Sequence, residues 1–180
     1  MKSNTSSTTM WPNWLYAIPL LILVGCKSIP EGIEAVRPFD KEAYLGTWYE
    51  IARFDFSFEK NLNNTTANYA LDSEGSIEVV NRGYHTVKNK WKEAVGKAKF
   101  VDADSIAMLK VSFFGPFYGG YNVIAIDPEY KYALVCGSSL KYLWILSREK
   151  TIPEETKTKY LELAEAKGFD TEKLLWIEHD

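Results

Sequence analysis

A chain of 180 residues with a formal net charge of −3 and only two cysteines is sized for one domain with a full core, which excludes two comfortable domains. The mild acidity comes without any basic run, so an extended nucleic-acid-binding surface is excluded as well. Aromatic residues make up 14% of the chain and are scattered through its apolar segments, which suits a β protein with an apolar interior.

The first 25 residues form an address and lie outside the fold. Lys2 and a polar stretch precede an apolar run over 14–24, which Pro19 interrupts and which is too short to cross a bilayer as a stable helix. This is the form of a secretory signal. Leu23-Val24-Gly25-Cys26 follows and resembles the bacterial lipobox. The resemblance implies cleavage before Cys26 and acylation of its sulfur and of its new α-amine, and two or more chains anchor a protein where one binds only marginally. Lys27 stands where, by resemblance to enterobacterial sorting, an Asp would retain the protein at the inner membrane. The expected location is therefore the outer membrane, lipid-anchored on its periplasmic face. Residues 26–45 carry Pro30, Gly32 and Pro38 and no sustained periodicity, so they read as a lipidated tether and N-terminal segment that, fully extended, would reach on the order of 60 Å. With Cys26 acylated, Cys136 has no partner for a disulfide, and its apolar strand makes it a buried thiol.

Residues 46–180 hold the folded domain. Gly46-Thr47-Trp48-Tyr49-Glu50-Ile51-Ala52-Arg53 reads as a first strand, with Trp48, Glu50, Ala52 and Phe54 on one face. Further strands are expected over 65–71, 76–84, 90–101, 105–113, 121–126, 131–136 and 141–148, separated by a loop over 55–64 and by Gly-, Pro-, Asn- and Asp-containing turns. In the fourth of these eight strands Ala94, Gly96, Ala98 and Phe100 oppose Val95, Lys97 and Lys99. The lysines belong in water, so the small residues point inward. There they either leave volume for a ligand or mark where the strand bends. Residues 114–120 read as an aromatic loop. Thr151-Ile152-Pro153-Glu154 has the form of a capping box that opens a helix running to Lys167, with Gly168 placed to stop it. Ile152, Tyr160, Leu163 and Ala164 form its apolar stripe, and a short last strand spans 174–177.

Eight antiparallel strands in sequence alternate in direction, so the start of the first strand, the Asp127-Pro128-Glu129-Tyr130 turn and Arg148 at the finish of the eighth all gather at one end. The other end receives Phe56, Phe58, Phe114, Phe117 and Tyr118. The Gly-x-Trp-Tyr-Glu opening of the first strand, together with these pieces, resembles the lipocalins, although Ile126-Asp127-Pro128 departs from the family's Thr-Asp-Tyr. The resemblance covers nearly all of the mature chain. It implies an eight-stranded antiparallel up-and-down β-barrel with a C-terminal helix packed outside and a short final strand, and a barrel-closing pair in which Arg148 lies across Trp48. Candidate ligand-binding residues on the inward faces are Ala52, Phe54, Ala94, Ala98, Leu109, Val111, Phe113, Tyr121 and Val123. Such walls select by shape and hydrophobicity, so the expected ligands are fatty acids or lysophospholipids, stored or transported in the cell envelope. Glu50 also faces inward, either toward a ligand headgroup or into structural hydrogen bonds. A structural lipoprotein without ligand and a lipid-acting barrel enzyme are the alternatives. The enzyme is disfavoured because His85 and His179 have no neighbours at metal-ligand spacing and no nucleophile elbow or phosphate loop appears. Neither a catalytic residue nor a metal or cofactor is expected. The aromatics at the open end leave room for contact with a membrane or a homodimer partner.

Overall fold

The computed structural model describes residues 28–73 and 75–180. Among them are nine strands, β1 (Gly46–Phe54), β2 (Leu62–Leu71), β3 (Ile77–His85), β4 (Lys90–Phe100), β5 (Met108–Phe114), β6 (Phe117–Ile126), β7 (Tyr132–Cys136), β8 (Leu143–Ser147) and β9 (Leu174–Trp176). Each of β1 to β7 pairs antiparallel with the next, and β1 bonds both β2 and β8, which closes an eight-stranded barrel; β9 adds to the far half of β1 from outside. A barrel leaves no exposed sheet edge among its strands.

Helix α1 (Lys41–Tyr44) is one turn capped by Asp40, and α2 (Glu154–Ala166) lies outside the barrel. The expected capping box does not form. Pro153 takes the N-cap position with no side-chain hydrogen bond, and the Thr151 carbonyl instead accepts from the Ser147 hydroxyl at 2.8 Å. At the other end Gly168, with φ +87, lets the chain reverse so that its N–H reaches the Glu165 carbonyl and that of Phe169 the Ala164 carbonyl. Tyr160, Ala164 and Phe169 are buried against Ile51, Ala52, Phe54, Leu134 and Ile145. This is one of two cores, and it lies between the helix and the outer face of the barrel. The second fills the interior at one end, around Trp48, Tyr69, Val79, Leu109 and Val123.

Two expectations need correction here. Residues 28–45 are not a free tether. Ile33 is buried in the outer core, Val36 bonds to Val123 and Ala107, and Phe39 bonds to Ser105 and packs beneath Tyr44. The segment lacks periodicity because it crosses the barrel as an irregular strap, burying isolated side chains one at a time. Residues 114–120 are also not a loop. β5 and β6 continue to Phe114 and Phe117 and turn through Gly115 and Pro116. The punctuation there marks the tip of a hairpin.

Candidate functional site

The barrel interior holds a cavity of about 860 Å³, a volume within the range of sites that enclose small ligands. Val79, Ala94, Val111, Phe113 and Leu146 form apolar wall. Phe56, Phe58, Phe114, Phe117 and Tyr142 come from the connections at one end and line the mouth. The opposite end is closed by the inner core, so the cavity is a blind cup.

The floor is a stack of aromatic rings. Tyr69 and Tyr121 line the cavity, and the Tyr121 hydroxyl lies 2.7 Å from that of Tyr69, which donates to it, and 2.6 Å from that of Tyr44. Burial pushes all three hydroxyls well above the usual phenol range, so they stay protonated and offer hydrogen bonds without charge. Beneath them Trp48 is fully buried, 4.8 Å from the Tyr44 ring, and its indole N–H donates to the Tyr44 carbonyl at 2.8 Å. The Arg148 guanidinium sits 3.8 Å from the Trp48 ring centroid, and its nitrogens donate to the carbonyls of Ala43, Leu45, Thr47 and Tyr130. One cation therefore ties together α1, the start of β1 and the turn before β7. That turn is built on Asp127, whose carboxylate accepts from the backbone N–H groups of Glu129, Lys131 and Tyr132.

The wall carries a buried charged cluster. Arg53 donates to Glu50 at 2.6 Å and to the carbonyls of Glu59 and Leu62, and its Nε lies 3.6 Å from the Glu59 carboxylate. The Glu50 and Glu59 carboxyls are coupled electrostatically across this guanidinium, and Trp144 donates to Glu59 at 3.4 Å. Two buried carboxyls face one guanidinium, so a proton resolves the imbalance. Glu50 holds the short ion pair with Arg53. Burial, and after it the Glu50 carboxylate, push Glu59 well above the usual carboxylate range, so Glu59 carries the proton. Glu50 and Glu59 both line the cavity, which therefore has one carboxyl paired with Arg53 and a second that burial holds toward its neutral form beside its apolar walls.

Of the residues expected to contact a ligand, Ala94, Val111, Phe113 and Tyr121 line the cavity. Ala98, Leu109 and Val123 are inside the barrel but packed into the closed end beneath it. Ala52 and Phe54 point the other way, into the outer core under α2. The cause is a bulge: β1 pairs Glu50 with Leu146 and then Ala52 with Ile145, so one extra residue shifts the alternation. The same bulge turns Arg53 inward to Glu50. In β4 the two readings of the small residues divide. Ala94 borders the cavity, whereas a side chain at Gly96 would collide with the Phe113 ring and the Ser112 carbonyl, so that glycine makes room for protein. Glu50 is held in the hydrogen bonds of the cluster while remaining at the cavity wall. Glu59 and Tyr69 had no place among the expected contacts. Tyr69 was findable from its alternation with Ala67 on β2; Glu59, in a connection without periodicity, gave no signal beyond an acid among phenylalanines. Cys26 lies outside the described residues. Cys136 is buried in the outer core, and burial pushes its thiol up to about 12, which rules against a thiolate at neutral pH. His85 accepts from the Lys88 N–H, and the His179 ring bonds to the Glu50 carbonyl.

The barrel is closed, carries a helix outside and has a cation on the indole at its floor. Residues 39–179 match the Lipocalin-like domain. The chain belongs to the lipocalin family. This lipocalin is 51% identical over 164 residues to outer membrane lipoprotein Blc of Escherichia coli (strain K12), covering 90% of this chain and 93% of that protein. It is 46% identical to the protein of that name from Vibrio cholerae, over 88% of this chain and 93% of the relative. Temperature-induced lipocalin-1 of Arabidopsis thaliana is 40% identical, over 79% and 80% of the two chains. Among solved structures, insecticyanin from the tobacco hornworm Manduca sexta superposes with a TM-score of 0.68 at 21% identity, over 84% of this chain and 86% of that one, a likeness of fold.

Proposed function

We propose that this lipocalin is a lipid-binding protein, and not an enzyme, that stores or transports fatty acids or lysophospholipids while anchored to the periplasmic face of the outer membrane through acylated Cys26. The blind cavity of about 860 Å³, apolar along its walls and polar at its floor, carries this reading. An acyl chain gains about 0.8 kcal/mol for each methylene it buries. The chain fits the wall of Val79, Ala94, Val111 and Phe113, while a polar end finds neutral hydroxyls at Tyr69 and Tyr121 or the carboxyls of Glu50 and Glu59. Four relatives named outer membrane lipoprotein Blc, each matched over about nine-tenths of this chain, support the location.

Native mass spectrometry before and after solvent extraction tests the ligand. The expected result is an extractable mass of a fatty acid or lysophospholipid that Ala94→Phe, which puts a ring into the cavity, displaces. A barrel that stays ligand-free after incubation with those lipids would overturn the reading.

A further inference from the structure

The three hydroxyls at the cavity floor carry three hydrogens, and their partners assign each one. Tyr69 donates to Tyr121 at 2.7 Å, and among the described residues neither Tyr69 nor Tyr44 has another hydrogen-bond partner for its hydroxyl. If Tyr121 donated to Tyr44, the Tyr44 hydrogen would be left without an acceptor under the floor, where Tyr44 is buried and does not border the cavity. A buried donor left unmet costs its full desolvation. Tyr44 therefore donates to Tyr121 as well. The Tyr121 oxygen accepts twice, and its own hydrogen is left over at a residue that borders the cavity. Two donors onto one oxygen polarise its O–H and strengthen it. Beside it the Tyr69 oxygen borders the same space and accepts no hydrogen bond among the described residues. The floor thus offers one donor and one acceptor, 2.7 Å apart.

An ionised ligand end does not suit this pair. Arg53 is committed to Glu50 and to the carbonyls of Glu59 and Leu62, and it does not border the cavity. Arg148 lies under Trp48 with its nitrogens on four carbonyls. At Tyr69 the hold of Glu59 and Glu50 on the hydroxyl proton, behind that of burial, exceeds the opposing effect of Arg148. Arg82, Lys92 and Glu93 also border the cavity, from the exposed mouth-side parts of β3 and β4. A carboxylate at the floor would be a buried anion without a free cation, and such a group takes up a proton instead.

We infer that a fatty acid binds with its carboxyl at the floor and un-ionised. Tyr121 donates to its carbonyl oxygen, and its acidic O–H donates to Tyr69, which closes a ring with the bond from Tyr69 to Tyr121. The acyl chain then runs toward the mouth. A lysophospholipid, whose phosphate stays ionised, lacks such an end and enters tail first. The inference rests on the lipid-binding reading above and adds the pose and the protonation state of one ligand class.

The test loads the full-length chain with palmitic acid enriched in carbon-13 at the carboxyl and records that resonance at about pH 7, where the free acid is ionised. The expected result is a carboxyl that keeps the un-ionised chemical shift and is shielded from a water-soluble paramagnetic relaxant. A bound carboxyl that is ionised, or that the relaxant reaches, would overturn the inference. Tyr121→Phe should weaken palmitic acid by about tenfold or more and leave a palmitoyl lysophospholipid unchanged. Equal weakening of both would make Tyr121 a prop of the barrel and overturn its role as donor. The parent resonance decides the pose even where the variant does not fold. A chain that binds neither lipid overturns the ligand reading, whereas palmitic acid bound with its carboxyl ionised or at the mouth overturns this pose alone.

Discussion

Arg148 shows how much one side chain can hold. A guanidinium is planar and presents five donors, and here it serves the face of Trp48 and carbonyls from three segments at once. Lysine keeps the charge and loses the fork. Arg148→Lys should therefore cost about 2 kcal/mol or more, read as a lower urea midpoint with an unchanged slope; a midpoint at the parent value would show that the fork is not what matters. Glu59 sets a different expectation. In the unfolded chain it ionises near its ordinary 4.5, while in the folded barrel burial and Glu50 hold its proton to higher pH. The folded state then binds more protons than the unfolded one above about pH 4.5, and stability falls as pH rises through that window. Glu59→Gln removes the titration and keeps an oxygen for Trp144. Its stability should be flatter from about pH 5 to pH 8 and exceed the parent's at the upper end. A parent whose stability is as flat over that range as the variant's would contradict the raised Glu59.

The strap over 28–39 is the element whose role its composition conceals. Ile33 and Phe39 are each buried, in different cores, and Val36 supplies backbone bonds to the barrel. Deleting the strap uncovers both sites and leaves the Asn122 amide short of one carbonyl. A loss of about 3 kcal/mol or more is expected from the two side chains alone, measured by thermal or urea unfolding. A true tether would cost nothing. α2 was easier to foresee, since its stripe of Tyr160 and Ala164 meets the outer core and Gly168 ends it. Its N-terminus was not, because Thr151 has its carbonyl engaged with Ser147 and the capping geometry is lost.

For the molecule as a whole, the cavity divides the interior into a packed floor and a space whose occupancy feeds back on stability. A ligand that binds only the folded barrel adds about 2.7 kcal/mol at roughly a hundred times its Kd. For a domain of this size the melting temperature should rise by about 5–10 °C with saturating fatty acid, and the rise should vanish in Ala94→Phe. A shift that persists in that variant would place the lipid elsewhere on the protein.

The order of the eight barrel strands, the outer helix and the end at which Trp48, Asp127 and Arg148 meet were legible in the sequence, because alternation and turn residues fix strands and an up-and-down order fixes which ends coincide. Which side chains face the cavity was legible where pairing runs in unbroken register, as for Ala94 on β4 opposite β3. On β1 a single inserted residue moved Ala52 and Phe54 to the outer core and brought Arg53 in to Glu50 and Glu59. A bulge is settled by the fit between neighbouring strands and leaves no mark on local composition. The raised Glu59, the tyrosine floor and the path of the strap depend in the same way on groups distant in sequence, so only the tertiary structure decided them.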